Sequence, residues 1–152
     1  MGADSYVERP TVQVLRIRAD MKGGGPSEAM RKLESKLPSL KGRKFYGAFR
    51  ILPGGEEYFA CVEKAVADDP AAMQVDEGEI PGGVYIRRKV SDWSKVIASG
   101  KLPAVSKDMI QHYDVDKSRP ELEYYRSLTE LHILIPVRSR DPVPLKWAGT
   151  DL

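Results

Sequence analysis

The chain has 152 residues, 41% of them hydrophobic and 30% charged, which is typical of a single globular domain with its own core. Its 24 basic and 22 acidic residues give a net charge of +2, so the composition gives no reason to expect direct nucleic-acid binding. No apolar run approaches the roughly 20 residues that cross a bilayer, and the N-terminal residues lack the apolar core of a signal peptide. We therefore expect a cytoplasmic protein with no membrane partner.

The small number of cysteine and histidine residues argues against disulfide bonds and metal sites. The one cysteine, Cys61, cannot form an internal disulfide, and its apolar neighbours indicate a buried small hydrophobic residue. Two histidines and one cysteine offer no metal-ligand spacing. We expect neither a metal nor a cofactor.

The first half of the chain predicts the element order β-α-β-β. Residues 11–19 are β-branched and aliphatic, which is typical of a strand. The following helix is predicted to begin with Ser27 as its N-cap and to end at Pro38. Residues 43–52 and 56–64 read as strands on either side of a Pro-Gly-Gly turn, so they predict a hairpin.

The second half repeats this order of elements without repeating the sequence. Residues 82–90 predict a strand, and Ser91 is the predicted N-cap of a helix that ends at Gly100. A short strand at residues 108–115 and a last strand at residues 129–137 complete the half. We interpret the stretches between these elements, residues 67–78 and 116–125, as connections.

This order predicts an α+β fold of two β-α-β-β modules related by a pseudo-twofold axis. The modules span residues 9–66 and 79–138 of a single domain, 1–152, with a C-terminal tail at 139–152. Their strands are expected to form one antiparallel sheet with helices on one face and a ligand groove on the other, since clefts at such junctions are common ligand sites.

The last strand divides its side chains between these two faces by alternation. The aliphatic positions Leu131, Ile133 and Ile135 are the expected partners of the helices. Glu130 and His132, with Leu134, then face the groove. A carboxylate on the floor of such a groove is desolvated, which raises its pKa, and it can attract a cation or act as a general base on water. The structural alternatives are a salt bridge from Glu130 to Arg119 or Arg126, and a histidine that is merely a neighbour.

Aromatic residues are the candidates for the groove walls, because tyrosine combines a flat apolar surface with a hydroxyl group. The candidate ligand-binding aromatic residues are Tyr46, Phe49, Tyr58, Tyr85, Tyr113, Tyr124 and Tyr125. Trp147, in the tail, is a candidate lid, whereas Trp93 lies on the apolar face of the second helix and is interpreted as a core residue. Packing in the core is the alternative for every tyrosine.

Three features of the second half resemble the GyrI-like small-molecule-binding domain, the family of multidrug effector-binding domains. The segment RPELEYYRSLTELHILIPV, residues 119–137, closes as the family's last strand does, with an acidic residue, Glu130, before an alternating run that ends in Ile-Pro-Val. Residues 79–90, EIPGGVYIRRKV, are similar to the family's entry into its second half, and Trp93 is similar to its early helix tryptophan. The first half matches by element order only.

The resemblance implies a stand-alone domain that binds flat hydrophobic, often cationic, aromatic molecules for sequestration or detoxification of toxins or drugs, with Glu130 in the groove. Many members of the family carry a DNA-binding helix-turn-helix, but the first predicted strand of this chain begins near residue 10, so we expect no helix-turn-helix before it. Some stand-alone members hydrolyse electrophilic cyclopropane toxins. By that alternative Glu130 would activate water and a tyrosine, with Tyr113 among the candidates, would polarise the substrate. A second alternative is an interaction module that protects a partner such as DNA gyrase. Binding alone versus hydrolysis, the natural ligand and the oligomeric state stay open at this point.

Overall fold

In a computed structural model of the protein, residues 4–98 and 102–138 are described, and they form eight strands and four helices. The strands are β1 Ser5–Arg9, β2 Val12–Arg18, β3 Phe45–Leu52, β4 Gly55–Glu63, β5 Asp76–Ile80, β6 Gly83–Ser91, β7 Glu121–Tyr125 and β8 Glu130–Pro136. The helices are α1 Gly25–Ser35, α2 Pro70–Met73, α3 Trp93–Ala98 and α4 Leu102–His112. None of the helices in these ranges is long and apolar enough to cross a membrane.

The described strands form one antiparallel sheet with the order β1-β6-β8-β7-β3-β4-β2-β5. The order is symmetric about the β3–β7 pair, because β7, β8 and β6 repeat on one side the positions of β3, β4 and β2 on the other. Gly47 pairs with Glu123 at the middle of the β3–β7 ladder. The predicted α+β fold of two β-α-β-β modules in one antiparallel sheet is therefore confirmed, and its pseudo-twofold axis passes beside these two residues.

The two halves also exchange a strand. β1 comes before the first module but pairs with β6 of the second, and β5 comes before the second module but pairs with β2 of the first. The sequence pattern predicted no strand at β1 and placed β5 in or beside a connection. Both are polar edge strands, SYVER and DEGEI, and charged side chains on an edge oppose pairing with other chains. Their pairing partners are distant in sequence, which explains why local pattern did not reveal them.

The second module corrects two assignments. Residues 108–115, predicted as a strand, lie mostly in α4, and residues 116–125, predicted as a connection, contain β7. Pro103 lies in the first turn of α4, where its missing N–H has no helical partner to lose. Met109 is fully buried against the apolar face of β8. The element order is still β-α-β-β because β7 takes the place of the predicted short strand.

Both long helices pack on one face of the sheet, the helix side. α1 rests on β2 and β4, and α4 rests on β8. The last strand divides as predicted: Leu131, Ile133 and Ile135 pack with the α4 residue Met109, whereas Leu134 belongs to the cluster on the opposite face. α1 begins at Gly25, slightly before the predicted cap, and ends before Pro38. The helices thus rest on either side of the central strands, α4 on β8 and α1 on β4 and β2, with β7 and β3 between them. We call the helix-side surface over β3 and β7 the central groove; the groove expected from the sequence lies on the opposite face.

The opposite face, the inner face, is concave because the sheet curls into a half-barrel. Arg9 of β1 donates a hydrogen bond from Nη2 to the hydroxyl of Tyr46 on β3 at 2.5 Å, although three strands separate β1 from β3. In a flat sheet those strands would lie about 19 Å apart, which an arginine and a tyrosine cannot span. The middle of this concave face is filled by buried side chains, namely Val14, Tyr46, Tyr85, Leu122 and Leu134.

Candidate functional site

The structure divides the predicted site residues between the two faces of the sheet. The inner face carries Tyr46, Tyr85, Tyr124, Glu130 and His132. The helix side carries Phe49, Tyr58, Tyr125 and, just after α4, Tyr113. Trp147 lies outside the described residues. The predicted residues therefore belong to two different surfaces.

The centre of the helix side holds a carboxylate between two tyrosines. Glu123 of β7 accepts hydrogen bonds at Oε1 from the hydroxyl of Tyr58, at 2.8 Å, and from the hydroxyl of Tyr125, at 2.9 Å. Tyr58 comes from β4 of the first module and Tyr125 from β7 of the second. The carboxylate thus joins the two modules at the pseudo-twofold axis. We call Gly47, Tyr58, Glu121, Glu123 and Tyr125 the central site.

Gly47 makes this arrangement sterically possible. It faces the helix side of β3, directly opposite Glu123. A Cβ atom at this position would lie 2.6 Å from Oε1 of Glu123 and closer still to the hydroxyl of Tyr58. Such distances are far below normal contact, so the absent side chain is what lets Tyr58 reach across β3 to the carboxylate.

Burial governs the protonation of the central site. The pKa of Tyr58 and that of Tyr125 are both raised, first by burial and then by the nearby charge of Glu123. Both hydroxyls therefore keep their protons at neutral pH and stay hydrogen-bond donors. Burial also raises the pKa of Glu121, and the neighbouring charge of Glu123 adds to that effect. Glu121 and Glu123 share one face of β7, so the groove floor is acidic.

Aromatic side chains continue the floor on both sides of the carboxylates. Phe45 and Phe49 of β3 are half-buried and pair with Tyr125 and Glu121 across the β3–β7 ladder. Trp93 of α3 packs edge-on against Tyr125 with ring centroids 5.2 Å apart, and its Nε1 donates to a backbone carbonyl in the β7–β8 connection. Trp93 is thus partly a core residue, as predicted, and partly a wall of this groove.

Glu130 differs from its prediction in position and electrostatics. It is the first residue of β8, at the end of the inner face, and its side chain is 38% exposed. Its Oε2 lies 2.6 Å from Nε2 of His132, and this hydrogen bond is the main cause that lowers its pKa. The expected pKa rise by desolvation is wrong, because the side chain lies at the rim and not on a groove floor. The structural alternative, a salt bridge to Arg119 or Arg126, is not seen either, since Arg119 pairs with Asp116 and Glu130 with His132.

The other inner-face candidates are engaged in packing and hydrogen bonds. Tyr46 stacks on Tyr124 with ring centroids 4.8 Å apart, and Tyr124 meets His132 edge-on at 5.7 Å. Tyr46 donates its hydroxyl proton to Glu63 at 2.7 Å. Burial is the main cause that lowers the pKa of His132, and its hydrogen bond to Glu130 partly offsets this effect.

Tyr113, the tyrosine predicted as a catalytic candidate, lies neither in the central site nor on the inner face. Its hydroxyl donates to Oδ2 of Asp4 at 3.0 Å, and the same aspartate pairs with Arg88. This network fastens the end of α4 to β1 and β6. Elsewhere among the described residues, no group of three or more His, Cys, Asp or Glu side chains is placed to hold a metal ion.

Sequence reasoning missed the two carboxylates of the central site. Glu121 and Glu123 fall in the segment predicted as a connection, and their charges obscured a short strand. A usable signal was present, because Glu121, Glu123 and Tyr125 alternate with Leu122 and Tyr124. The contribution of Tyr58 was not predictable from local pattern, since it comes from another module.

Comparisons with known proteins show the fold of this chain and no closer relationship. No family model matches it, and no curated protein matches it in sequence. An integron cassette protein from the mobile metagenome of Vibrio cholerae is similar in structure, with a TM-score of 0.62 and 14% identity, covering 89% of this chain and 95% of that one. The structure of SAV2435 bound to tetraphenylphosphonium has a TM-score of 0.59 and 12% identity, covering 91% and 95%. A hydrolase from Listeria innocua has a TM-score of 0.54 and 10% identity, covering 88% and 90%. At these identities the likeness establishes a shared α+β fold, one that in SAV2435 accommodates a cationic aromatic ligand.

Proposed function

We propose that this chain is a GyrI-like small-molecule-binding domain that takes up bulky, cationic aromatic molecules in the central groove. The observation that carries the proposal is Glu123, whose carboxylate is held by the hydroxyls of Tyr58 and Tyr125 on the floor between the two modules. Both tyrosines donate to Oε1. Among the described residues Oε2 has no hydrogen-bond donor, so it is free to face a ligand.

The charge of the central groove favours a cation over a neutral molecule. Glu121 and Glu123 lie two residues apart on one face of β7, and neither forms an ion pair with a described residue. A bound cation would neutralise part of that charge in partly desolvated surroundings, where the attraction is stronger than in water. Phe49, Tyr125 and Trp93 add aromatic faces and edges for van der Waals and cation–π contact.

The structural neighbours support this ligand class. SAV2435, which shares the fold, has been seen with tetraphenylphosphonium, a hydrophobic aromatic cation. The resemblance of residues 79–90 and 119–137 to GyrI-like sequences points to the same class. A domain of this kind would sequester or detoxify such compounds. The acidic residue that binds them here is Glu123 of the central groove, and Glu130 is the rival carboxylate at the inner-face rim.

The test is a comparison of Glu123→Gln with Glu130→Gln. Glutamine keeps the shape and the acceptor oxygen of the glutamate, so both tyrosine hydrogen bonds persist while the charge is lost. We expect Glu123→Gln to weaken tetraphenylphosphonium binding about tenfold or more, equivalent to about 1.4 kcal/mol, in isothermal titration calorimetry. Triphenylphosphine oxide, a neutral analogue, should lose much less affinity.

The outcomes separate the two carboxylates. Glu130→Gln should bind tetraphenylphosphonium as the parent does. If Glu130→Gln loses the affinity and Glu123→Gln keeps it, the ligand occupies the inner face. Equal affinity in the parent and both variants would remove the charge role altogether.

A second candidate function is hydrolysis of an electrophilic small molecule, and one geometric feature favours it. The central site combines a carboxylate with a free oxygen, Oε2 of Glu123, and two protonated tyrosine hydroxyls, which is a base beside two acids. Glu123 would take a proton from a water molecule as the water oxygen bonds to a carbon of a strained ring, and the ring bond would break with its electrons passing to the substrate carbonyl. The hydroxyl of Tyr58 or Tyr125 would turn from Glu123 to that carbonyl oxygen and give it a proton, and the proton held by Glu123 would restore the tyrosine. Two structural neighbours are hydrolases from Listeria innocua, with TM-scores of 0.54 and 0.51.

Mass spectrometry distinguishes hydrolysis from binding. Incubation with a cyclopropane-containing alkylating compound should yield a product heavier by one water if the chain is an enzyme. Glu123→Ala should abolish this product, and Glu130→Ala should leave its rate unchanged. Reversal of that pattern would assign the base to Glu130, and recovery of unchanged compound from the parent protein would leave binding as the function.

A further inference from the structure

The inner face concentrates arginines that lack a carboxylate partner. Five arginines of the described chain form ion pairs with Asp or Glu, namely Arg18, Arg43, Arg88, Arg119 and Arg138. Four others are half-buried and form no ion pair with a described residue, namely Arg9, Arg16, Arg50 and Arg87. By strand alternation all four face the inner side of the half-barrel.

Three of these arginines also bury an unpartnered donor. The Nε atoms of Arg16, Arg50 and Arg87 are inaccessible to solvent and have no hydrogen-bond partner among the described residues. A buried N–H of a charged group without an acceptor is destabilising, and such groups in a native fold call for a specific explanation. Arg43 has the same buried Nε, but its guanidinium is paired with Asp68. For Arg16, Arg50 and Arg87 a bound anion at the rest of the guanidinium supplies the missing negative charge.

An aromatic surface connects two of the four arginines. The guanidinium of Arg9 lies 5.4 Å from the ring centroid of Tyr124, whose ring meets that of His132 at 5.7 Å. Arg87 stands opposite Leu134 in the β6–β8 ladder, two residues from His132 on the same face of β8. Arg9 and Arg87 thus flank a patch formed by Tyr124 and His132, and we call these four residues the inner patch.

The carboxylates of the inner face do not neutralise these arginines. Glu63 accepts the hydroxyl proton of Tyr46, and Glu130 is bound to His132. Glu57 pairs loosely with Arg18 at 3.8 Å. Asp76 stands opposite Arg16 in the β2–β5 ladder but forms no ion pair with it among the described residues. None of these carboxylates forms an ion pair with Arg9 or Arg87 among the described residues, so the charge of these two guanidinium groups is available to a ligand.

We propose that the inner patch is a second binding site, which takes an anionic group carried on a flat aromatic ring. Arg87 and Arg9 hold the anion, and Tyr124, which rests on the buried His132, contacts the ring. This ligand class is opposite in charge to that of the central groove, so the two sites select different molecules. The shared chemistry has two sources, an aromatic carboxylate and the phosphate of a nucleotide.

Binding to the inner patch can be observed directly at the arginines. NMR spectra of the arginine Nε–H groups are recorded during titration with naphthalene-2-carboxylate, with adenosine monophosphate, and with naphthalene-2-carboxamide as the neutral control. We expect the Nε–H signal of Arg87 to shift with at least one anion, with a Kd below about 1 mM, and not with the carboxamide. A response to the carboxylate alone identifies an aromatic acid, and a response to the nucleotide identifies a phosphate ligand.

Single-residue variants test whether the anion binds at Arg87 and Arg9. Arg87→Gln should weaken anion binding about tenfold, and Arg9→Gln should weaken it too. Arg31→Gln, which changes an exposed arginine of α1, should have no effect. Tetraphenylphosphonium binding at the central groove should be unchanged in Arg87→Gln, so failure at one site is distinguishable from failure at the other. The proposal is overturned if neither anion shifts the Arg87 signal, or if Arg87→Gln and Arg9→Gln bind the anion as the parent does.

Discussion

Replacement of Gly47 by alanine tests whether the central site depends on the absence of a side chain. The new Cβ would lie 2.6 Å from Oε1 of Glu123 and closer to the hydroxyl of Tyr58. Tyr58 is 4% exposed and packed under α1, so it has little freedom to withdraw. Its hydrogen bond to Glu123 must therefore break or distort.

The expected loss follows from two contributions. A hydrogen bond to a charged group contributes about 1.5–3 kcal/mol, and overpacking a buried site costs about 1–3 kcal/mol. Since the two overlap, we expect Gly47→Ala to lower the free energy of unfolding by about 3 kcal/mol. The measurement is urea unfolding followed by circular dichroism, with the m-value unchanged.

A matched glycine provides the control. Gly54, in the turn between β3 and β4, has open space where an added Cβ would lie, with no atom within 4 Å, so Gly54→Ala should change stability by less than about 0.5 kcal/mol. Tyr58→Phe removes the same hydrogen bond as Gly47→Ala, so the double variant should lose less than the sum of the single losses. The reasoning is refuted if Gly47→Ala is as stable as Gly54→Ala, or if the two changes at Gly47 and Tyr58 are additive.

Three further outcomes follow from other groups. Hydrogen bonds from Ser118 and Arg119 lower the pKa of Asp116 to about 2. The ionised Asp116 therefore stabilises the fold above about pH 4, and this stabilisation is lost as the pH falls toward 2. In Asp116→Asn, the free energy of unfolding should lack this part of the decrease between pH 4 and pH 2. The hydrogen bond that His132 donates to Glu130 raises the pKa of His132 against the effect of burial. In Glu130→Gln an NMR titration should therefore give His132 a lower pKa than in the parent, and a higher pKa would contradict this pairing. Burial raises the pKa of the Cys61 thiol to about 12. This thiol should therefore react with a disulfide reagent far more slowly in the native protein than in the protein unfolded by urea. Equal rates would show that the thiol is not enclosed in the native fold.

The last strand shows how far alternation alone could predict the site. It correctly placed Leu131, Ile133 and Ile135 against the helices and Leu134 on the other face. It could not show that Glu130, as the first residue of β8, lies at the rim with its side chain partly exposed. Position along a strand, unlike the face, depends on where neighbouring strands begin and end.

The second module shows why a strand with charged residues is not predicted from the sequence pattern. β7 carries Glu121 and Glu123 on its helix side, and both are tolerated there because the groove floor is only partly buried and Tyr58 and Tyr125 donate to Glu123. Those donors come from two different strands. A sequence pattern records the charge but not the distant partners that accommodate it.

The edge strands β1 and β5 were not predicted from the sequence for a related reason. β1 and β5 are short and polar, and each is stabilised by pairing with the other module, β1 with β6 and β5 with β2. This exchange also places Arg9 on the inner face of the half-barrel, where it reaches Tyr46. The position of Arg9 is thus a consequence of long-range pairing and was not foreseeable from local sequence, whereas Arg16, Arg50 and Arg87 lie on strands that the sequence predicted.

The most direct test of the central claim is a crystal structure of this protein with tetraphenylphosphonium bound. We predict the phosphonium group in the central groove, with the ring face of Tyr125 or Phe49 within about 6 Å of the cation and Glu123 as the nearest carboxylate. A ligand seated on the inner face beside Glu130 and His132, with the central groove unchanged, would contradict the account.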